Sequence, residues 1–236
     1  MIEIHAKGAR GRTQLDWLDS RHSFSFGDWQ DPDRMGFRAL RVINEDRVKP
    51  GQGFATHGHR DMEIISYVLE GELGHRDGMG NSGVIRPGDV QRMSAGTGIH
   101  HSEFNPSPTR PVRFLQIWIL PEPSGLAPSY EQKHFAAEGA TGRLQLIAAP
   151  AVRAAENGVV AVHQDVEIWR TIFVPGDIVT HEIAPGRSVW VQMAAGFVVV
   201  NNSEKLGEGD GLAVTAEAQL EIEANVDAEL LLFDLA

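Results

Sequence analysis

Apolar residues in this chain arrive in short runs, never in a long one. Examples are Phe37 to Ile43, Ile64 to Leu69, Val112 to Leu120, Ile172 to Val174, Val189 to Met193, Phe197 to Val200 and Leu230 to Phe233. The runs are rich in Val, Ile, Leu, Phe and Trp, and clusters of Gly, Pro, Asn and Asp separate them. That punctuation specifies many short strands rather than long helices. The expected fold class is all-β.

One interruption stands apart. Pro121-Glu122-Pro123-Ser124-Gly125-Leu126-Ala127-Pro128 can continue neither strand nor helix, because proline removes a donor and constrains the residue before it. On either side the chain echoes itself. Thr56-His57-Gly58-His59 is matched by Thr180-His181-Glu182-Ile183, Gly71 by Gly196, and Pro87-Gly88-Asp89-Val90 by Glu208-Gly209-Asp210-Gly211. The reading is two related β-barrels in tandem, residues 1–120 and 121–236. At 236 residues each half is long enough to bury a core of its own.

Composition then narrows the function classes. A formal charge of -11 repels nucleic acid and anionic membranes. Cysteine is absent, which removes disulfides, thiolate metal sites and cysteine nucleophiles and leaves only nitrogen and oxygen donors for a metal. The first residues, Met1-Ile2-Glu3-Ile4-His5-Ala6-Lys7, lack the basic and apolar regions of a signal peptide, and no apolar run approaches the roughly 20 residues of a membrane span. A cytoplasmic protein is expected.

Two runs carry the chemistry: Gly53-Phe54-Ala55-Thr56-His57-Gly58-His59 and Gly96-Thr97-Gly98-Ile99-His100-His101-Ser102-Glu103. Alternate residues of a strand point to one face, so His57 with His59, and His101 with Glu103, can converge from two strands on one barrel interior. Three imidazoles and a carboxylate suit iron, zinc, copper, nickel or manganese better than calcium, and leave positions open on an octahedral ion. Glu63, four residues after His59, could supply the carboxylate only if the chain bends, so the spacing favours Glu103. His100 should point away from His101. His75 either lines the cavity or bonds within a turn, the latter being the simpler reading, and His134, His163 and His181 read as structural. Arg21-His22-Ser23-Phe24-Ser25-Phe26-Gly27 reads as an edge strand that packs Phe24 and Phe26. Inward-facing Arg60, Arg76 and Arg92 would favour an acidic substrate, and an apolar mouth would favour an aromatic one. No phosphate loop, Gly-x-Ser-x-Gly elbow or dinucleotide fingerprint is present.

Gly51-x5-His57-x-His59-x3-Glu63-x7-Gly71, and Gly88 followed by His101-x3-Asn105, resemble the two cupin motifs, with one extra residue in the first and a lengthened middle in the second. More closely the chain resembles the bacterial pirins. Arg21-His22-Ser23-Phe24, Thr56-His57-Gly58-His59-Arg60-Asp61-Met62-Glu63, Gly88-Asp89-Val90-Gln91, and Met93-Ser94-Ala95-Gly96 leading to His101-Ser102-Glu103 carry that likeness, which is specific over the first half and diffuse beyond Pro121. The resemblance implies a bicupin, two jelly-roll barrels, with one metal, usually Fe(II), in the N-terminal barrel on His57, His59, His101 and Glu103, and none in the C-terminal barrel. It further implies a quercetin 2,3-dioxygenase-like oxidoreductase acting on a flavonol-like aromatic and dioxygen, with Glu103 as general base. The alternatives are a metal-dependent, redox-responsive regulator working through a protein partner, or another small-molecule cupin oxygenase or isomerase.

Overall fold

The short runs become strands, and the strands sort into two compact units. A computed structural model describes residues 1–236. The N-terminal unit holds Gly11–His134 with Val162–Gln164, and the C-terminal unit holds Met1–Arg10, Phe135–Ala161 and Asp165–Ala236. No helix is long and apolar enough to cross a membrane.

β1 (Ile2–His5) opens the chain. The N-terminal unit then contains β2 (Gly11–Gln14), β3 (Leu18–His22), β4 (Leu40–Val48), β5 (Gly53–His59), β6 (Glu63–Glu70), β7 (Leu73–Asp77), β8 (Ser82–Ile85), β9 (Asp89–Ser94), β10 (Ile99–Phe104), β11 (Val112–Ile119) and β12 (Ser129–His134). Seven of them form one sheet in the order β12-β9-β6-β11-β4-β3-β2, and four form another in the order β5-β10-β7-β8. Leu18, Val48, Val68, Val112 and Phe114 of the first sheet pack with Leu73 and Ile85 of the second, closing one end of the barrel with apolar side chains. Ile64, Met93, Ala95 and Ile99 form a second apolar cluster, with Trp118 packed against it.

Between those clusters the larger sheet carries a polar row. Strand pairing places Gln91 beside Ser66, Ser66 beside Gln116, Gln116 beside Asn44, and Asn44 beside His22. All five side chains are buried. Burying a polar group costs free energy unless it finds a partner, so an unbroken polar row in a barrel interior marks a place built for chemistry rather than packing.

The C-terminal unit contains β13 (Gln145–Pro150), α1 (Ala151–Asn157), β14 (Val160–Val162), β15 (Val166–Phe173), β16 (Ile178–Glu182), β17 (Ser188–Ala195), β18 (Phe197–Val200), β19 (Glu204–Gly207), β20 (Gly211–Thr215), β21 (Gln219–Glu223) and β22 (Ala228–Leu235). Its sheets run β1-β20-β17-β22-β15-β13-β14 and β16-β21-β18-β19. Val179, Val189, Val191, Met193, Leu220, Leu230 and Leu232 belong to one apolar core. His181, at the position that echoes His57, hydrogen-bonds Asp234 at 2.7 Å, and Arg187 donates to the same carboxylate. Burial pushes the Asp234 carboxyl up, but the bonds from His181 and Arg187 outweigh it and hold the group below the ordinary range. A depressed acid contributes stability above its unfolded value and loses it as pH falls through its folded one. Compared with Asp234→Asn, the parent chain is therefore expected to lose stability more steeply below about pH 4. Urea midpoints measured across that range for both proteins check this, and parallel curves would contradict it.

The compact units depart from a division at residue 120. β1 pairs with β20, more than 200 residues away, while β12 pairs with β9 in the N-terminal unit. Both strands cover a sheet edge, and their partners are set by long-range pairing that no local signal announces.

Candidate metal centre

β5 and β10 run antiparallel, with His101 directly opposite His57 and Ile99 opposite His59. Opposed residues share a face, as do residues two apart on one strand, so the three imidazoles converge by register alone. Their centroids lie 4.5–4.9 Å apart in every pairing. One nitrogen from each falls within 4.8 Å of the others. His57 Nδ1 donates to the Ala55 carbonyl at 2.8 Å, which leaves Nε2 to face His101 Nε2 at 3.1 Å. Burial lowers His59 to about 4 and His101 to about 2, and the neighbouring imidazoles add to both effects. Both rings are therefore neutral at pH 7, with lone pairs available to a cation.

Past His101 the register shifts, and Glu103 comes to stand opposite Phe54 on one side and His75 on the other. Glu103 is buried and lies outside the imidazole cluster. Ser66 Oγ donates to its Oε1 at 3.0 Å and Gln116 Nε2 to its Oε2 at 2.8 Å, so the polar row of the larger sheet grips the carboxylate. Burial raises its pKa, opposed by those two bonds. Gly53 makes the close approach of β5 and β10 possible, because a Cβ there would stand 2.2 Å from the Glu103 carbonyl oxygen. Gly53→Ala is expected to push the strands apart, destabilise the fold by about 1–3 kcal/mol and weaken metal binding. A denaturation midpoint and metal titration equal to those of the parent chain would contradict this.

A cavity of about 90 Å³ opens onto these groups. Leu18, Phe26, Phe54, Ile64 and Trp118 provide its apolar walls, and no lysine or arginine lines it. Two family profiles match the chain: Pirin over residues 4–119, and a quercetinase C-terminal cupin domain over residues 146–235. A quercetin 2,3-dioxygenase of Escherichia coli strain K12 is 47% identical over all of this chain and 99% of its own length.

This chain belongs to the pirin family. Solved structures agree. That of YhhW from E. coli superposes with a TM-score of 0.94 at 47% identity, covering 100% of this chain and 98% of that one. The bacterial pirin YhhW in complex with nickel(II) superposes with a TM-score of 0.92 at 47% identity, covering 100% and 99%. The bicupin architecture expected from the sequence is therefore the architecture of this pirin.

Other expectations fare differently. Glu63, the reserve carboxylate, is turned toward His163, whose backbone N–H lies 3.3 Å and ring Nδ1 3.2 Å from its Oε2. His75 neither lines the cavity nor bonds within a turn. It is buried behind His101 at a centroid distance of 5.3 Å, stacks on Tyr130, and neither ring nitrogen has a hydrogen-bond partner. His100 is exposed, as strand alternation requires. His134, His163 and His181 each face a carboxylate, of Asp89, Glu63 and Asp234. Arg60 and Arg76 are exposed, and Arg92 bonds Ser94, Ser129 and Glu131.

The segment read as an edge strand over 21–27 is not one. β3 ends at His22 and lies between β2 and β4, and residues beyond it form a loop. His22 lines the cavity, bonded to Asn44 Oδ1 at 2.8 Å and Thr13 Oγ1 at 2.9 Å. Phe26 also lines it, in an edge contact with Trp118 at 5.4 Å. Asp46 completes this wall. Burial pushes it up to about 7, opposed by a hydrogen bond from Ser20 and reinforced by the charges of Glu103 and Glu45. Asp46 Oδ1, Gln116 Oε1 and Trp118 Nε1 are buried without partners. Each such group costs about 1–3 kcal/mol until something bonds it.

Proposed function

We propose that this pirin is a metal-dependent dioxygenase of the quercetin 2,3-dioxygenase type, opening the central ring of a flavonol-like aromatic with dioxygen and releasing carbon monoxide. The observation that carries the reading is the convergence of three imidazoles beside a buried carboxylate, at the end of a cavity walled by aromatic and aliphatic side chains. The donor set fits a divalent transition ion: His57, His59 and His101 would hold it through nitrogen, and Glu103 through oxygen. Fe(II) is the ion proposed, with nickel, zinc, copper and manganese within reach of the same ligands. When bound, such an ion supplies a Lewis-acid anchor that makes a coordinated hydroxyl more acidic. The second barrel, in which the histidine that echoes His57 is spent on Asp234, is assigned no ion.

The chain's own residues account for the other requirements. Burial raises the Glu103 carboxyl above an exposed carboxylate and so makes it the stronger base, and Ser66 and Gln116 fix its orientation. In this reading Glu103 takes the proton of the flavonol 3-hydroxyl. Phe26, Phe54 and Trp118 offer flat apolar surface to an aromatic ring and exclude water around the oxyanion that forms. Beyond the metal, no lysine or arginine lines the cavity to hold the carboxylate of an acidic substrate.

Quercetin added anaerobically to the iron-loaded protein is expected to shift the flavonol absorption to longer wavelength, and admission of oxygen to release carbon monoxide in proportion to flavonol consumed. Absence of both the shift and the gas would refute the proposal.

A further inference from the structure

The polar wall opposite the imidazoles carries more hydrogen-bonding capacity than the metal centre uses. Asn44 and Asp46 alternate along β4 and share a face, as do Ser20 and His22 on the neighbouring β3. All four line the cavity, together with Gln116 from β11. His22 is satisfied by Asn44 and Thr13, and Gln116 commits its Nε2 to Glu103. That leaves two buried oxygens, Asp46 Oδ1 and Gln116 Oε1, with nothing in the chain to bond them. Gln116 Oε1 is an acceptor throughout, and Asp46 Oδ1 is one in the ionised form that donated hydrogen bonds favour. Trp118 Nε1 beside them is an unpartnered donor, so hydroxyl groups, which both donate and accept, satisfy the wall. Away from the metal, an anionic group at this wall would meet the Asp46 and Glu103 carboxylates with no lysine or arginine in the lining to offset them. A sugar would waste the aromatic walls.

We propose that Asp46 and Gln116 form a hydroxyl-recognition subsite beside the metal centre, accepting hydrogen bonds from ring hydroxyls of an aromatic ligand other than the group the metal holds. The inference rests on the flavonol reading and deepens it: the site prefers polyhydroxylated flavonols to bare ones, and Asp46 contributes most of that preference. Gln116 is the poorer probe because it also orients Glu103.

The test compares quercetin with 3-hydroxyflavone, which keeps the metal-binding hydroxyl and lacks every other one. Dissociation constants are measured anaerobically by absorption titration on nickel-loaded parent, Asp46→Ala and Asp46→Asn chains, after matching metal content and thermal midpoint. The parent is expected to bind quercetin more tightly than 3-hydroxyflavone. Asp46→Ala should weaken quercetin by about tenfold and 3-hydroxyflavone by less than about twofold. Asp46→Asn, which keeps one neutral acceptor, should fall between and carries the test if the alanine variant does not fold. Equal weakening of both ligands, or of neither, would overturn the subsite while leaving the flavonol reading intact. A parent chain that binds neither flavonol would overturn that reading and the subsite with it.

Discussion

Chains in which His57 and His59 are both replaced by alanine are expected to leave purification with no bound transition ion, where the parent chain carries a stoichiometric one. Two of the three imidazoles disappear, and the remaining nitrogen and a single carboxylate cannot match a set of four donors. The substitution should not unfold the barrel, because both side chains are only partly buried and contribute to no apolar cluster. Metal-free parent and variant should therefore melt together, and added ion should raise the midpoint of the parent alone, since a ligand stabilises only the state that binds it. Elemental analysis beside thermal melts with and without added nickel checks both halves. A variant that keeps its metal, or a parent whose midpoint ignores the ion, would contradict the assignment.

The second large effect falls on turnover. Glu103→Gln keeps the shape of the side chain and removes its capacity to take a proton, so flavonol cleavage is expected to fall by roughly 10²–10⁴. Metal should remain on the three imidazoles with affinity lowered by roughly 10–100-fold. The two bonds at Glu103 would respond unequally. Both Ser66 and Gln116 donate to the native carboxylate, whereas an amide presents one acceptor and one donor, so one contact is kept and the other reverses, with the Ser66 hydroxyl or Gln116 Oε1 accepting from the new N–H. Rates normalised to bound metal separate loss of the base from loss of the ion, and an unchanged normalised rate would remove Glu103 from the proton-transfer role.

The parts of this site that were legible in the sequence are those that depend on strand parity alone. His57 and His59 are two apart, His101 and Glu103 are two apart, and His100 falls between them on the other face. Glycines beside these residues permit the close strand approach that Gly53 shows. What parity could not supply was the choice of partner for a lone group. Glu63 finds its partner 100 residues along the chain at His163, and β1 finds its strand partner at β20.

The polar wall was missed for a different reason. Gln116 sits inside Phe114-Leu115-Gln116-Ile117-Trp118, Ser66 inside Ile65-Ser66-Tyr67, and Asn44 after Val42-Ile43. Each reads locally as a solvent-facing position in an amphipathic strand. The signal was present in the parity: Phe114, Gln116 and Trp118 share one face of β11, so a polar side chain occupies an inward position between two large apolar ones. His22 was obscured because residues 22–25 are all buried, so the apparent alternation over 21–27 did not separate an inner from an outer face.

The most direct measurement is diffraction collected at the absorption edge of nickel or iron from crystals grown with that ion. One anomalous peak within coordinating distance, about 2.0–2.2 Å, of a nitrogen of His57, His59 and His101 and of a Glu103 oxygen is the predicted result. A peak elsewhere in the chain, or none, with those four side chains ordered and the ion supplied, would contradict the account.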